Sequence, residues 1–145
     1  MNHYDTTNTA HFGPAHSAAV LQALEDVCAS RVFSHSERMI RFLRFVVERK
    51  LAGQQQDIRE FVIGMEVFDR DPSYDPKIDT IVRVEARRLR KKLEAYYAGP
   101  GAGDRVRIDV PRPGYAPVFS MVEVPQRTLV AGMTGTKLAG AALQA

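Results

Sequence analysis

Residues 98–103 read AGPGAG, and no other stretch limits the fold of this chain so sharply. Glycine and proline at that density cannot continue a helix, so the helical pattern before them must end there. The residues after the break are of a different kind. RVRIDV (105–110) alternates charged and apolar residues, PRPG (111–114) has turn composition, and YAPVFSMVEV (115–124) resumes an extended pattern. Two such runs about a tight turn make a β-hairpin with Arg112 near its tip. The expected class is α+β, with helices before the break and a hairpin after it.

The segment entering the break, IVRVEARRLRKKLEAYY (81–97), carries six Arg and Lys side chains against two Glu. Asp75-Pro76 supplies an N-cap and first-position pair, which predicts a helix over 78–97. At helical spacing Ile78, Val82, Ala86, Leu89, Leu93 and Tyr96 share one core-facing stripe. Thr80, Arg83, Val84, Arg87 and Lys91 occupy the opposite side. Arg90 and Glu94 flank that side on one edge, and Arg88 and Lys92 flank it on the other.

Three earlier helices are expected. Ala18, Leu21, Leu24, Val27 and Cys28 recur at helical spacing over 16–30, with Ser17 as candidate N-cap. A second helix starts after Ser34 or Ser36, with Met39, Ile40, Leu43, Val46, Val47 and Leu51 as its stripe and Gly53 as its stop. Residues 58–68, IREFVIGMEVF, place Ile58, Phe61, Val62, Met65 and Phe68 at helical spacing, although Gly64 and three β-branched residues leave a strand open. Residues 1–15 read as a disordered tail and 125–145 as a flexible tail or linker, so the domain is expected over 16–124.

Charge is concentrated rather than high. The net charge is +3 and the pI about 9.2, but nine basic residues against four acidic ones fall between Arg83 and Arg112. The single Cys28 excludes an internal disulfide framework. The N-terminus lacks a signal-peptide pattern, and no run approaches the roughly 20 apolar residues of a membrane helix. A cytoplasmic, nucleoid-associated protein is expected.

Helix, helix, short helix, basic amphipathic helix, hairpin is the element order of a winged helix-turn-helix, in which the exposed face of one helix enters the major groove and the hairpin reaches the adjacent backbone or minor groove. VEARRLRKKLE (84–94) and VRIDVPRPGYAPVF (106–119) resemble the effector domain of the OmpR/PhoB response regulators. Arg87, Arg88, Leu89, Arg90, Lys91, Leu93 and Glu94 match that family's helix end; Gly114, Tyr115 and Phe119 match its wing loosely. FLRFVVE, IGMEVF and the PGYAP turn bring the chain closer to a bacterial winged-helix module found at the N-terminus of multidomain proteins with tetratricopeptide or propeller repeats. Where the OmpR/PhoB domain begins with a four-stranded sheet, this sequence has a helical pattern, and regulation through a receiver domain is not implied.

The resemblance implies DNA contacts from Arg87, Arg88 and Arg90. From position on the exposed face, Arg83, Arg87 and Lys91 are candidates to reach bases or phosphates. Arg can bond guanine bidentately, whereas Lys91, Arg90 and Arg88 suit phosphates. Thr80 and Val84 could meet a thymine methyl, while Arg112 and Arg107 would serve the wing. Double-stranded DNA is the expected partner, with a homodimer through 16–30 or tandem sites enlarging the footprint and RNA polymerase a further candidate. The rival is a winged helix that docks its basic face on an acidic protein.

Other constellations carry less. Asp69, Asp71, Asp75 and Asp79 hint at a calcium loop, but Tyr74 stands where an EF-hand needs Gly, so turns and caps are expected. His3, His11, His16 and His35 lack metal-ligand spacing. Phe42, Phe45, Phe61, Phe68 and Cys28 belong to the core. No nucleophile–base pair is visible; neither catalysis nor a cofactor is expected.

Overall fold

The computed structural model describes residues 14–121, and the expectations for 1–13 and 122–145 lie outside the described residues. The order is α1 (Pro14–Ala29), α2 (Glu37–Leu51), α3 (Glu60–Phe68), α4 (Ile81–Ala98), β1 (Val106–Asp109) and β2 (Val118–Met121), with short 3-10 turns at Arg31–Phe33 and Gln55–Asp57. This is an α+β arrangement, four helices followed by an antiparallel hairpin, compatible with a winged-helix layout.

Local sequence explains most helix ends. The described part of α1 runs from Pro14, so the helix is already formed three residues before Ser17. Ser17 therefore lies inside the helix and is not its cap, and residues 14–15 leave the expected tail. Ser36 is the N-cap of α2, though its side chain makes no capping bond. Gly53 follows α2 at φ +75°, a conformation glycine adopts without a Cβ penalty. Asp69 ends α3 in the left-handed region, and the Arg70 N–H reaches back to the Gly64 carbonyl.

The connection 69–80 is built by its aspartates, as turn chemistry predicts. Asp71 accepts the Ser73 N–H at 2.9 Å, Asp75 that of Lys77 at 3.0 Å and Asp79 that of Ile81 at 3.1 Å. Asp75-Pro76 consequently closes a turn instead of starting a helix, and α4 begins at Ile81 rather than 78. Ile78, expected in the core, is 82% exposed.

A single core joins all four helices to the hairpin. Phe33, Phe42, Leu24, Leu43, Ile63, Leu89 and Ile108 are among its fully buried side chains. In α1 the buried face is Val20, Ala23, Leu24, Val27 and Cys28, while Ala18 and Leu21 face outward. In α3 it is Ile63, Gly64, Val67 and Phe68, while Phe61, Val62 and Met65 are half-buried. α3 is apolar nearly all round, so packing rather than periodicity selects its face, whereas in α1 the exposed Gln22, Glu25 and Asp26 form a polar side that Ala18 shares. Gly64 is required by that packing, because a Cβ there would overlap the Tyr74 ring. Burial raises the pKa of the Cys28 thiol.

α4 buries Val82, Glu85, Ala86, Leu89, Leu93, Tyr96 and Tyr97. The two tyrosines anchor the chain beyond the glycine break. Tyr96 Oη donates to Asp104 at 2.6 Å, and Tyr97 Oη accepts the Ile108 N–H at 2.7 Å. β1 lies against α1 and α4 and pairs with β2 in the register Val106↔Met121 to Asp109↔Val118. Residues 110–117 form an extended loop rather than the tight turn expected. Val110 and Pro117 are buried at its two ends, Arg112-Pro113 is cis and Gly114 has φ +82°. That loop leans toward α2 and α4, with the Tyr115 ring 6.2 Å from Phe42.

Candidate nucleic-acid interface

Three side chains on one edge of α4, Arg83, Arg87 and Arg90, face the hairpin loop. Arg90 is built into the fold. Its Nε donates to the Val110 carbonyl at 2.7 Å and its Nη2 to the Gly114 carbonyl at 2.8 Å, so one guanidinium grips both limbs of the loop. The same group lies 6.0 Å from the centroid of the Tyr115 ring. Burial, with Arg112 nearby, draws its pKa down. Arg90, expected to rest on phosphate, thus has a structural role as well: a planar, multiply donating cation satisfies two backbone carbonyls of the loop.

Arg83 is also engaged. Its Nε meets the Glu60 carboxylate at 2.9 Å and its Nη2 donates to the Pro76 carbonyl at 2.6 Å, tying α4 to α3 and to the preceding loop. The Glu60 bond raises the Arg83 pKa. Because it is the first-turn arginine, it falls beside an acidic residue at the start of α3, which helical position alone does not reveal.

Arg87 and Arg112 are different. Both are exposed, and neither makes a hydrogen bond or ion pair among the described residues. They stand with Arg83, Arg90, Pro113, Gly114 and Tyr115 around an open groove of about 450 Å³ between α4 and the loop. Four arginines line it and no carboxylate does.

The middle of the exposed face holds Thr80 and Lys91, exposed, and Val84, half-buried. On the far edge Arg88 binds Glu85, a carboxylate only 3% exposed that Arg38 of α2 also reaches. Lys92 donates to the Val32 carbonyl at 3.1 Å. Arg107 does not join the arginine groove. Its guanidinium stacks 4.2 Å above the Tyr97 ring, beside a separate, more apolar groove of about 420 Å³ that includes Leu93, Val110, Pro111 and Val118.

Of the nine expected site residues, Arg83, Arg87, Arg90 and Arg112 are brought together; Thr80, Val84 and Lys91 share their face; Arg88 and Arg107 lie apart. Sequence reading missed Tyr115 as a wall of the groove, Glu60 as a partner of Arg83, and Glu85 with Arg38. Glu85 was accessible in principle, since its helical angle puts it beside the core stripe. Arg38 was not, because it is 47 positions away in sequence. Among the described residues no group of three or more His, Cys, Asp or Glu is placed to hold a metal, and no helix is long and apolar enough to cross a membrane. No protein-family model, curated protein or solved structure matches this chain.

Proposed function

We propose that this chain binds double-stranded DNA with sequence preference, as a winged helix-turn-helix of the kind the OmpR/PhoB resemblance implies, and serves in transcriptional regulation. The observation that carries the reading is the groove between α4 and the hairpin loop, lined by four arginines and no carboxylate, with Arg87 and Arg112 free of partners among the described residues. An α-helix fits the major groove, and a free arginine at its exposed edge can meet guanine O6 and N7 together. Arg112, on a loop beside that helix, suits the adjacent minor groove or backbone, where negative potential attracts arginine.

The fold then divides the labour. Arg90 positions the loop, Arg87 reads, Lys91 and Arg112 meet phosphate or groove, and Thr80 and Val84 offer apolar contact to a thymine methyl. Arg83 joins them by exchanging Glu60 for DNA. A footprint this small favours paired sites or a second copy of the chain.

Selection of bound duplexes from a random library, at about 150 mM salt to keep weak surface attraction screened, tests the reading. The expected outcome is an enriched motif with the wild type that Arg87→Ala relaxes at one or two positions. Absence of enrichment at this and at lower salt would sink the proposal and leave the arginine groove to an acidic protein.

A further inference from the structure

The far edge of α4 carries a second cationic feature, opposite the arginine groove. Arg38 Nη1 and Arg88 Nη1 approach the same atom, Glu85 Oε2, at 3.2 and 3.3 Å. The carboxylate is almost completely buried, its side chain 4% exposed, whereas the two arginine side chains are 62% and 65% exposed. A buried acid thus holds two exposed cations together from below. One carboxylate faces two guanidiniums, which leaves a positive charge uncompensated. Each guanidinium has five N–H donors, and most remain available.

These groups border an open groove of about 490 Å³ with Ser36, Glu37 and Lys92. Glu37 is the acidic member of the rim, and Lys92 is held there by its bond to the Val32 carbonyl. Since both arginines share one acceptor atom, their charged ends lie close enough for the oxygens of a single phosphate to bridge them at ordinary charge-assisted distances of about 2.8 Å. The groove also meets the start of α2, whose cap residue Ser36 makes no side-chain bond to the first turn.

The position of this pair suits a duplex. A helix with its side chains is about 10–12 Å across and the major groove about 12 Å wide, so a helix seated there presents both edges to phosphate walls. The hairpin loop and Arg112 serve one wall. We infer that Arg38 and Arg88, oriented by Glu85, clamp a backbone phosphate of the other strand. This rests on the DNA-binding reading above and adds to it a contact from α2, with Glu85 as a positioning residue that touches no DNA.

The test is the salt dependence of binding to a fluorescein-labelled duplex of mixed sequence, followed by anisotropy. Each phosphate contact contributes about 0.9 to the slope of log K against log salt. Arg38→Ala should weaken binding several-fold and lower that slope by about one contact, with a small fall in melting temperature as the buried Glu85 loses one of its two partners, a folded circular-dichroism spectrum and an unchanged motif in library selection. Arg38→Lys should restore most of the slope, because the charge returns. Glu85→Gln should weaken binding while the slope changes by less than one contact, since both cations stay but are held by a neutral amide oxygen in place of a carboxylate. If the wild type binds and Arg38→Ala leaves affinity and slope as they were, the clamp is refuted and the DNA-binding reading stands. If the wild type binds no duplex even at low salt, both fall together.

Discussion

The two edges of α4 carry similar arginines and use them in opposite ways. On the hairpin edge Arg90 is committed to the carbonyls of Val110 and Gly114, and the groove it helps to line has no acid in it. On the α2 edge Arg38 and Arg88 converge on the buried Glu85. On the first edge Arg90 is held by neutral backbone acceptors, which take none of its charge, and only Arg83 meets an anion, Glu60 of α3. The second edge is held by an anion, which cancels part of its charge. Counting basic residues along a helix therefore overstates what a partner would meet, and the acceptor each one has chosen decides the remainder.

The largest effect expected from breaking this asymmetry is on the hairpin edge. Arg90→Ala removes two charge-assisted bonds to otherwise unpaired carbonyls and should cost about 2 kcal/mol in denaturant unfolding. The loop should also loosen, which amide exchange at Tyr115 and Ala116 would register. An unchanged midpoint with unchanged exchange would mean that Tyr115 and Pro117 seat the loop without help.

Tyr97→Phe comes next. It strands the buried Ile108 N–H and should cost about 1–2 kcal/mol. The same side chain sets a pH dependence. Burial pushes the Tyr97 hydroxyl up to about 12, against an ordinary value near 10 in the unfolded chain. Because the folded state favours the neutral phenol, that stabilisation is complete below about pH 10 and drains away as pH rises toward 12. Unfolding midpoints taken across this window should fall in the wild type and fall less steeply in Tyr97→Phe.

On the α2 edge Glu85→Gln should cost less, about 1 kcal/mol, because Arg38 and Arg88 are exposed enough to regain water. A loss of several kcal/mol would show that the pair is needed for the packing of α2 on α4, and the contrast between the edges would shrink. The smallest stability change belongs to Arg87→Ala, within about 0.5 kcal/mol, as for a surface residue without partners. Its expected effect is on sequence preference instead. A larger loss of stability would place Arg87 with Arg90 among the cations that build the fold.

The elements themselves were readable because their signals are local. Proline and glycine set the ends of α2 and α4, strong amphipathic periodicity set the buried faces of these helices, and alternation after residue 104 marked the strands. The aspartates of 69–80 were readable as turns for the same reason, although which turn started the helix was not. Where a segment is apolar on nearly every side, as in α3, no local signal distinguishes the face that packing will choose, whereas in α1 Gln22, Glu25 and Asp26 marked the outward side on which Ala18 also lies. The loop 110–117 was misjudged because a proline- and glycine-rich stretch is compatible with both a tight turn and a longer one whose ends are buried in the core.

Local signals along the chain dictate helices followed by a hairpin, with the basic residues gathered on the last helix and just beyond it. Propensity, capping and periodicity act over a few residues, and these features need nothing longer. Which of those cations stay available depends on packing between distant segments. Glu60 reaches Arg83, the Val110 and Gly114 carbonyls reach Arg90, and Arg38 meets Arg88 over Glu85, all through contacts between segments far apart in the chain. An ionic or hydrogen-bonding partner is chosen by proximity in space, and that proximity exists only once the core has packed.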